Sequence, residues 1–185
     1  MYISEVFDRR PGAGTRENAE ERCYELLDSL GIAYWRVDHD TAAAMADLLP
    51  VEQALGCPIC KNLFLTNRQQ TDFYLLLMPG NKPFKTKYLS RQLGTARLSF
   101  GSAEQLWERL GVTSGSASLL ALANDGDKRV QLVLDKDLTE EEWFACHPCR
   151  NSSTLKMRWT DVEQRLLPAL GHEPRLVELP WETEA

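Results

Sequence analysis

Two apolar runs, residues 62–66 and 73–78, set the tightest constraint on how this chain folds. The polar Asn67-Arg68-Gln69-Gln70 lies between them, and the pattern predicts a β-hairpin. Lys61 stands directly before the first run. Alternate side chains of a strand share a face, so Lys61 sides with Leu63 and Leu65. If that face lines a cavity, a partly desolvated ammonium sits in an apolar pocket, a setting suited to an anion or a polarised carbonyl. The alternative is an amine left in water at the strand mouth, with its stem covering Leu63.

The rest of the chain alternates short helices and strands. Thr15 followed by Glu17, Glu20 and Glu21 reads as a helix start, and Cys23, Leu26, Leu27 and Leu30 recur at helical spacing up to Gly31. A strand is expected over 33–38, then a helix over 42–55 interrupted at Pro50. After the loop 79–83 come a basic helix (87–93), a short strand (97–100) and an amphipathic helix (103–110) stopped by Gly111. The small-residue loop 112–118 precedes two expected strands, 119–123 and 130–134, with Asn124-Asp125-Gly126-Asp127 as their hairpin turn. Residues 143–156 read as irregular, 160–167 as a helix stopped by Pro168, and 176–179 as a closing strand. No repeat, low-complexity tract or linker divides the sequence. A single domain over residues 1–185 is expected, of α+β class, built as a curved mixed β-sheet or barrel with peripheral helices.

The net charge of −6 argues against broad non-specific nucleic-acid binding, so DNA is not an expected partner. The charge is polarised, however. No acidic residue occurs between Asp72 and Glu104, where Lys82, Lys85, Lys87, Arg91 and Arg97 all fall. Such a face can meet a polyanion, or it can be an ordinary solvated surface. The N-terminus has no signal-peptide core and no apolar run spans a bilayer, so a cytoplasmic location without a membrane partner is the expectation.

Four segments then fall in one order: Lys61-Asn62-Leu63-Phe64-Leu65, Phe73 to Met78, Gly111-Val112-Thr113-Ser114-Gly115-Ser116, and His147-Pro148-Cys149-Arg150-Asn151. In that order the chain closely resembles the YbaK/ProX family of aminoacyl-tRNA deacylases, which includes free-standing prolyl-tRNA editing proteins and the editing insertion of bacterial prolyl-tRNA synthetase. The resemblance implies a barrel-like mixed sheet with a cavity at one end. It matches Lys61 to the family's essential lysine, which holds the terminal adenosine's phosphate, and Gly115 to the glycine of its substrate-binding loop. His147 matches the downstream histidine. Ser114, Ser116, Ser118, Asn151 and Thr154 are implied as substrate-binding neighbours, and Lys82, Lys85, Lys87 and Arg91 are candidates for contacts to the tRNA body. One departure is Leu119, which stands where the family loop carries proline. The implied reaction is hydrolysis of an aminoacyl ester without a covalent nucleophile or cofactor. The implied substrate is mischarged tRNA(Pro), with alanine the first expectation and cysteine its competitor, and prolyl-tRNA synthetase is a candidate partner.

Two further readings stay open. A non-catalytic aminoacyl-tRNA-binding or regulatory protein of the same fold is one. The other rests on Cys57, Cys60, Cys146 and Cys149, two Cys-x-x-Cys pairs that form a tetrahedral zinc set or a redox pair if the fold brings them together. Cys23 reads as a core residue on the first helix.

Overall fold

The computed structural model describes residues 1–182. Its strands are β1 (Tyr34–Asp38), β2 (Lys61–Thr66), β3 (Phe73–Met78), β4 (Ser99–Phe100), β5 (Val130–Asp135), β6 (Trp143–Cys146), β7 (Ser153–Arg158) and β8 (Arg175–Val177). The helices are α1 (Asn18–Ser29), α2 (Leu49–Leu55), α3 (Thr86–Leu93), α4 (Ala103–Leu110), α5 (Trp159–Asp161) and α6 (Leu167–Leu170). Among the described residues no helix is long and apolar enough to cross a membrane.

The expected hairpin is present, with Lys61 opposite Met78 and Thr66 opposite Phe73. Strand β3 is buried along its whole length because both of its faces are covered. Phe73, Leu75 and Leu77 face a core shared with α1 and α4, while Tyr74, Leu76 and Met78 pack beneath Leu89 and Leu93 of α3. Each such side chain contributes roughly 1.5–3 kcal/mol of burial, which fixes the hairpin at the centre of the molecule. The α+β class holds. The strands form two sheets, β1-β7-β6 and β4-β2-β3-β5-β8, rather than one closed barrel.

Three local expectations are corrected. Residues 119–124 form a 3-10 turn, capped by the Ser118 hydroxyl accepting from the Leu120 N–H, so no hairpin joins them to β5. Strand β5 instead runs parallel to β3, reached by a crossover that carries α3 and α4. The stretch read as irregular contains β6 and β7, which pair antiparallel and place the 147–152 loop between them. Pro168 does not stop the last helix. A π-helical turn over Val162–Leu166 reroutes the Leu167 N–H to the Val162 carbonyl, and Pro168 then sits in the first turn of α6, where its missing donor costs nothing.

Candidate active site

Where the two sheets meet, the Cys60 N–H donates to the Ala145 carbonyl (3.2 Å). A cavity of about 240 Å³ opens beside this seam. Its apolar wall is Ala42, Ala43, Ala44, Met45, Leu48 and Ile59, and its polar wall is Lys61, Asn62, His147 and Asn151, with Gly115 and Ala117 between. Lys61, Gly115, His147 and Asn151, far apart in sequence, thus surround one space.

Lys61 opens β2 on the cavity side. Its Nζ donates to the Lys82 carbonyl at 2.6 Å. Burial lowers its pKa, and no neighbouring charge contributes to the shift. The side chain therefore offers a cation with spare donors and no carboxylate to neutralise it. Asn62 was not singled out from the sequence. Its Nδ2 reaches the Cys60 sulfur (3.3 Å), while its Oδ1 is buried without a partner, a cost of about 1–3 kcal/mol that a bound donor would relieve. The only signal for it in the sequence is an amide directly beside Lys61 in an otherwise apolar strand.

Gly115 adopts φ +84°, and a Cβ there would meet the Asn151 amide at 3.2 Å. Gly115 and Ala117 line the cavity, and their N–H groups make no hydrogen bond among the described residues. The serines of this loop are placed differently. Ser114 is exposed, while Ser116 and Ser118 are buried and hold the loop's own shape, Ser116 by its N–H to the Thr113 carbonyl. Leu119 is buried in the main core, so the residue that replaces the family's proline lies away from the cavity.

His147 follows β6 and is held by its Nδ1, 2.8 Å from the Ser153 carbonyl. A carbonyl only accepts, so Nδ1 carries the proton and Nε2 keeps its lone pair. Burial depresses the pKa to about 4, which keeps the ring neutral at pH 7. Thr154 is fully buried behind it, with Oγ1 between His147 Nδ1 (3.2 Å) and His39 Nε2 (2.8 Å), so it orients the ring from outside the cavity. Asn151 clamps the far wall, donating to the Ala42 carbonyl (2.6 Å) and accepting from the Ala42 N–H (3.3 Å).

The basic candidates separate. Lys85, Lys87 and Arg91 are exposed on and before α3. Lys82 is not available to a polyanion: it is 1% exposed, with Nζ 2.8 Å from both Asp135 and Asp137 and donating to the Leu179 carbonyl. The reason is topological, since β5, parallel to β3, ends at Asp135 and the turn after it carries Asp137, and both reach the lysine in the loop after β3.

The cysteines do not assemble as one set. All five are free and buried. Cys23 donates to Cys149 (3.4 Å) and Cys60 to the Ala145 carbonyl (3.3 Å), and no three His, Cys, Asp or Glu side chains converge on a metal position among the described residues. Burial pushes the Cys60 thiol at the cavity wall up to about 12, far from a thiolate nucleophile.

Residues 38–164 match the family model of the aminoacyl-tRNA editing domain. The chain is 29% identical to the prolyl-tRNA editing protein ProX of Acetoanaerobium sticklandii over 88% of its own length and 98% of that protein. It is 31% identical to the prolyl-tRNA synthetase associated domain-containing protein 1 of Danio rerio, covering 81% of this chain and 82% of that one. Among solved structures, a candidate trans-editing enzyme for prolyl-tRNA synthetase superposes with a TM-score of 0.65 at 17% identity, over 90% of this chain and all of the other. That likeness shows the fold.

Proposed function

This chain belongs to the aminoacyl-tRNA editing domain family, and from that premise we propose that it hydrolyses mischarged tRNA(Pro) in trans, with Ala-tRNA(Pro) as its substrate. The observation that carries the reading is the pairing of Lys61, a cation without a carboxylate, with the unengaged Gly115 and Ala117 N–H groups across a small cavity. The ammonium suits the phosphate of the terminal nucleotide. The two N–H groups suit the oxyanion that forms when water attacks the ester carbonyl. An ester needs no covalent nucleophile, and the raised pKa of Cys60 agrees with attack by water. His147 Nε2 and Asn62 Oδ1 are acceptors suited to the substrate's ammonium or to the attacking water.

The apolar wall, with Met45, Leu48 and Ile59 around three alanines, sets the size limit. A synthetase site built for proline rejects alanine by only about 1–3 kcal/mol, so a second site that admits the smaller side chain supplies the missing discrimination. Lys85, Lys87 and Arg91 are the surface we assign to the tRNA body, and prolyl-tRNA synthetase is the partner from which the charged tRNA would come.

The test is deacylation of Ala-, Cys- and Pro-tRNA(Pro) by the wild type and Lys61→Ala. Hydrolysis of the alanyl ester alone, lost in the variant, is the expected result. Preference for the cysteinyl ester would keep the mechanism and change the substrate. Tight binding without turnover of any ester would replace hydrolase by binding protein.

A further inference from the structure

We infer that the free edge of the five-stranded sheet is a stacking platform for unpaired nucleotides at the 3′ end of the RNA, with Phe100 as its surface. The inference rests on the tRNA-editing reading and specifies how the strand reaches the cavity.

Phe100 lies on edge strand β4, opposite Leu65 of β2, and is 61% exposed. Residues opposite one another share a sheet face, so Phe100 stands on the face of Leu65, Leu63 and Lys61. Along β2, Leu65 is about 13 Å from Lys61 at the usual rise of a strand. Phe84 meets the Phe100 ring edge-on, centroids 6.3 Å apart at 70°, and is itself half-buried against the core under α3. Phe84 follows closely on Lys82, whose carbonyl holds the Lys61 amine. Phe84 and Phe100 therefore lie on the side of the sheet from which Lys61 reaches the cavity.

Cations flank these rings. A groove begins next to Phe84, and among the described residues Lys85, Thr86, Lys87, Ser90 and Arg97 line it. Exposed edge strands are normally blunted by charge or proline, and here the edge presents a large aromatic ring instead. Aromatic rings beside a basic groove match single-stranded nucleic acid, whose bases stack while its phosphates meet the cations. A second copy of the chain fits poorly. Two-fold pairing through this edge would set Lys85, Lys87 and Arg97 of one copy against the same cations of the other. Duplex RNA offers no free base face, so the occupant is the unpaired 3′ end.

The experiment measures anisotropy of two uncharged RNA hairpins, one with a single-stranded 3′ end terminating in CCA and one cut back to a blunt end. Phe100→Ala is expected to weaken binding of the first about tenfold, with Phe100→Tyr restoring it, and to leave the blunt hairpin unchanged. Arg97→Ala is expected to weaken binding and flatten its salt dependence. Unchanged affinity in Phe100→Ala, equal loss on both hairpins, or wild-type self-association abolished by Phe100→Ala would each overturn the platform. Uncharged RNA needs no turnover, so the readout is separable from the hydrolase assay. A wild type that binds through Phe100 but hydrolyses no ester removes the hydrolase reading and leaves the platform standing.

Discussion

Gly115 is where a single atom decides the geometry of the cavity. Its φ of +84° lies in the region that L side chains avoid at about 1–2 kcal/mol, and an added Cβ would press on the Asn151 amide. That amide holds Ala42, so the strain passes to the apolar wall. Gly115→Ala is expected to lose about 1–2 kcal/mol of stability in urea titration and a larger share of kcat, because the N–H groups of residues 115 and 117 tilt away from the ester oxygen. Full activity with unchanged stability would show that the loop does not hold the oxyanion. The resemblance to the editing family singles out Lys61, Gly115, His147 and Asn151, and the fold sets all four around one cavity. The directions of Ser114, Ser116 and Ser118 were not legible in the sequence. A small side chain in a loop carries no periodicity, and the structure spends two of these serines on the loop itself.

Among the elements, the segment from Pro79 to Lys85 shows how far local reading extends. Its proline, glycine and asparagine marked it as a loop, but its lysine looked like surface charge. The partners of Lys82 lie across the parallel β3–β5 pairing, which no local pattern announces. The same gap explains the misread hairpin before β5, since Asn124-Asp125-Gly126-Asp127 is good turn chemistry wherever the next strand pairs. The buried ion pair holds the loop whose carbonyl positions the Lys61 amine. Lys82→Met leaves Asp135 buried without its cation and is expected to cost about 3–5 kcal/mol. Asp137→Asn spares that core and keeps the Lys82–Asp135 pair, because Asp137 is 39% exposed. It is expected to fold normally and to lower deacylation only modestly. Thermal melts run beside the assay separate the two effects, and a fully active Lys82→Met would show that the loop is held without the pair.

At the scale of the whole molecule, the site is a seam, so whatever opens the two sheets also dismantles the chemistry. Lys61 comes from one sheet, and His147 and Asn151 come from the loop between two strands of the other. Acid is the reagent that tests this. Burial depresses His147 from 6.5 to about 4, so the unfolded chain binds the extra proton first as pH falls. Its contribution is complete above about pH 6.5 and is lost between there and about 4, at roughly 1.4 kcal/mol per pH unit. Asp38 follows below that window. Burial would raise its pKa, but the Ser153 hydroxyl, Arg36 and Arg16 outweigh burial and hold it below 3.8, so its stabilisation survives until pH drops past the ordinary carboxylate range. Urea midpoints measured against pH are thus expected to fall in two stages, one limb from 6.5 to about 4 as His147 protonates in the unfolded chain and a second beneath it as Asp38 does. His147→Gln, which cannot take up a proton, should flatten the first limb and spare the second. Deacylation measured at each pH on protein that is still folded should hold down to about pH 4, because the folded ring stays neutral until then. Activity falling near pH 6.5 without unfolding would mean that the ring titrates like an exposed histidine, and that the two sheets do not close over it.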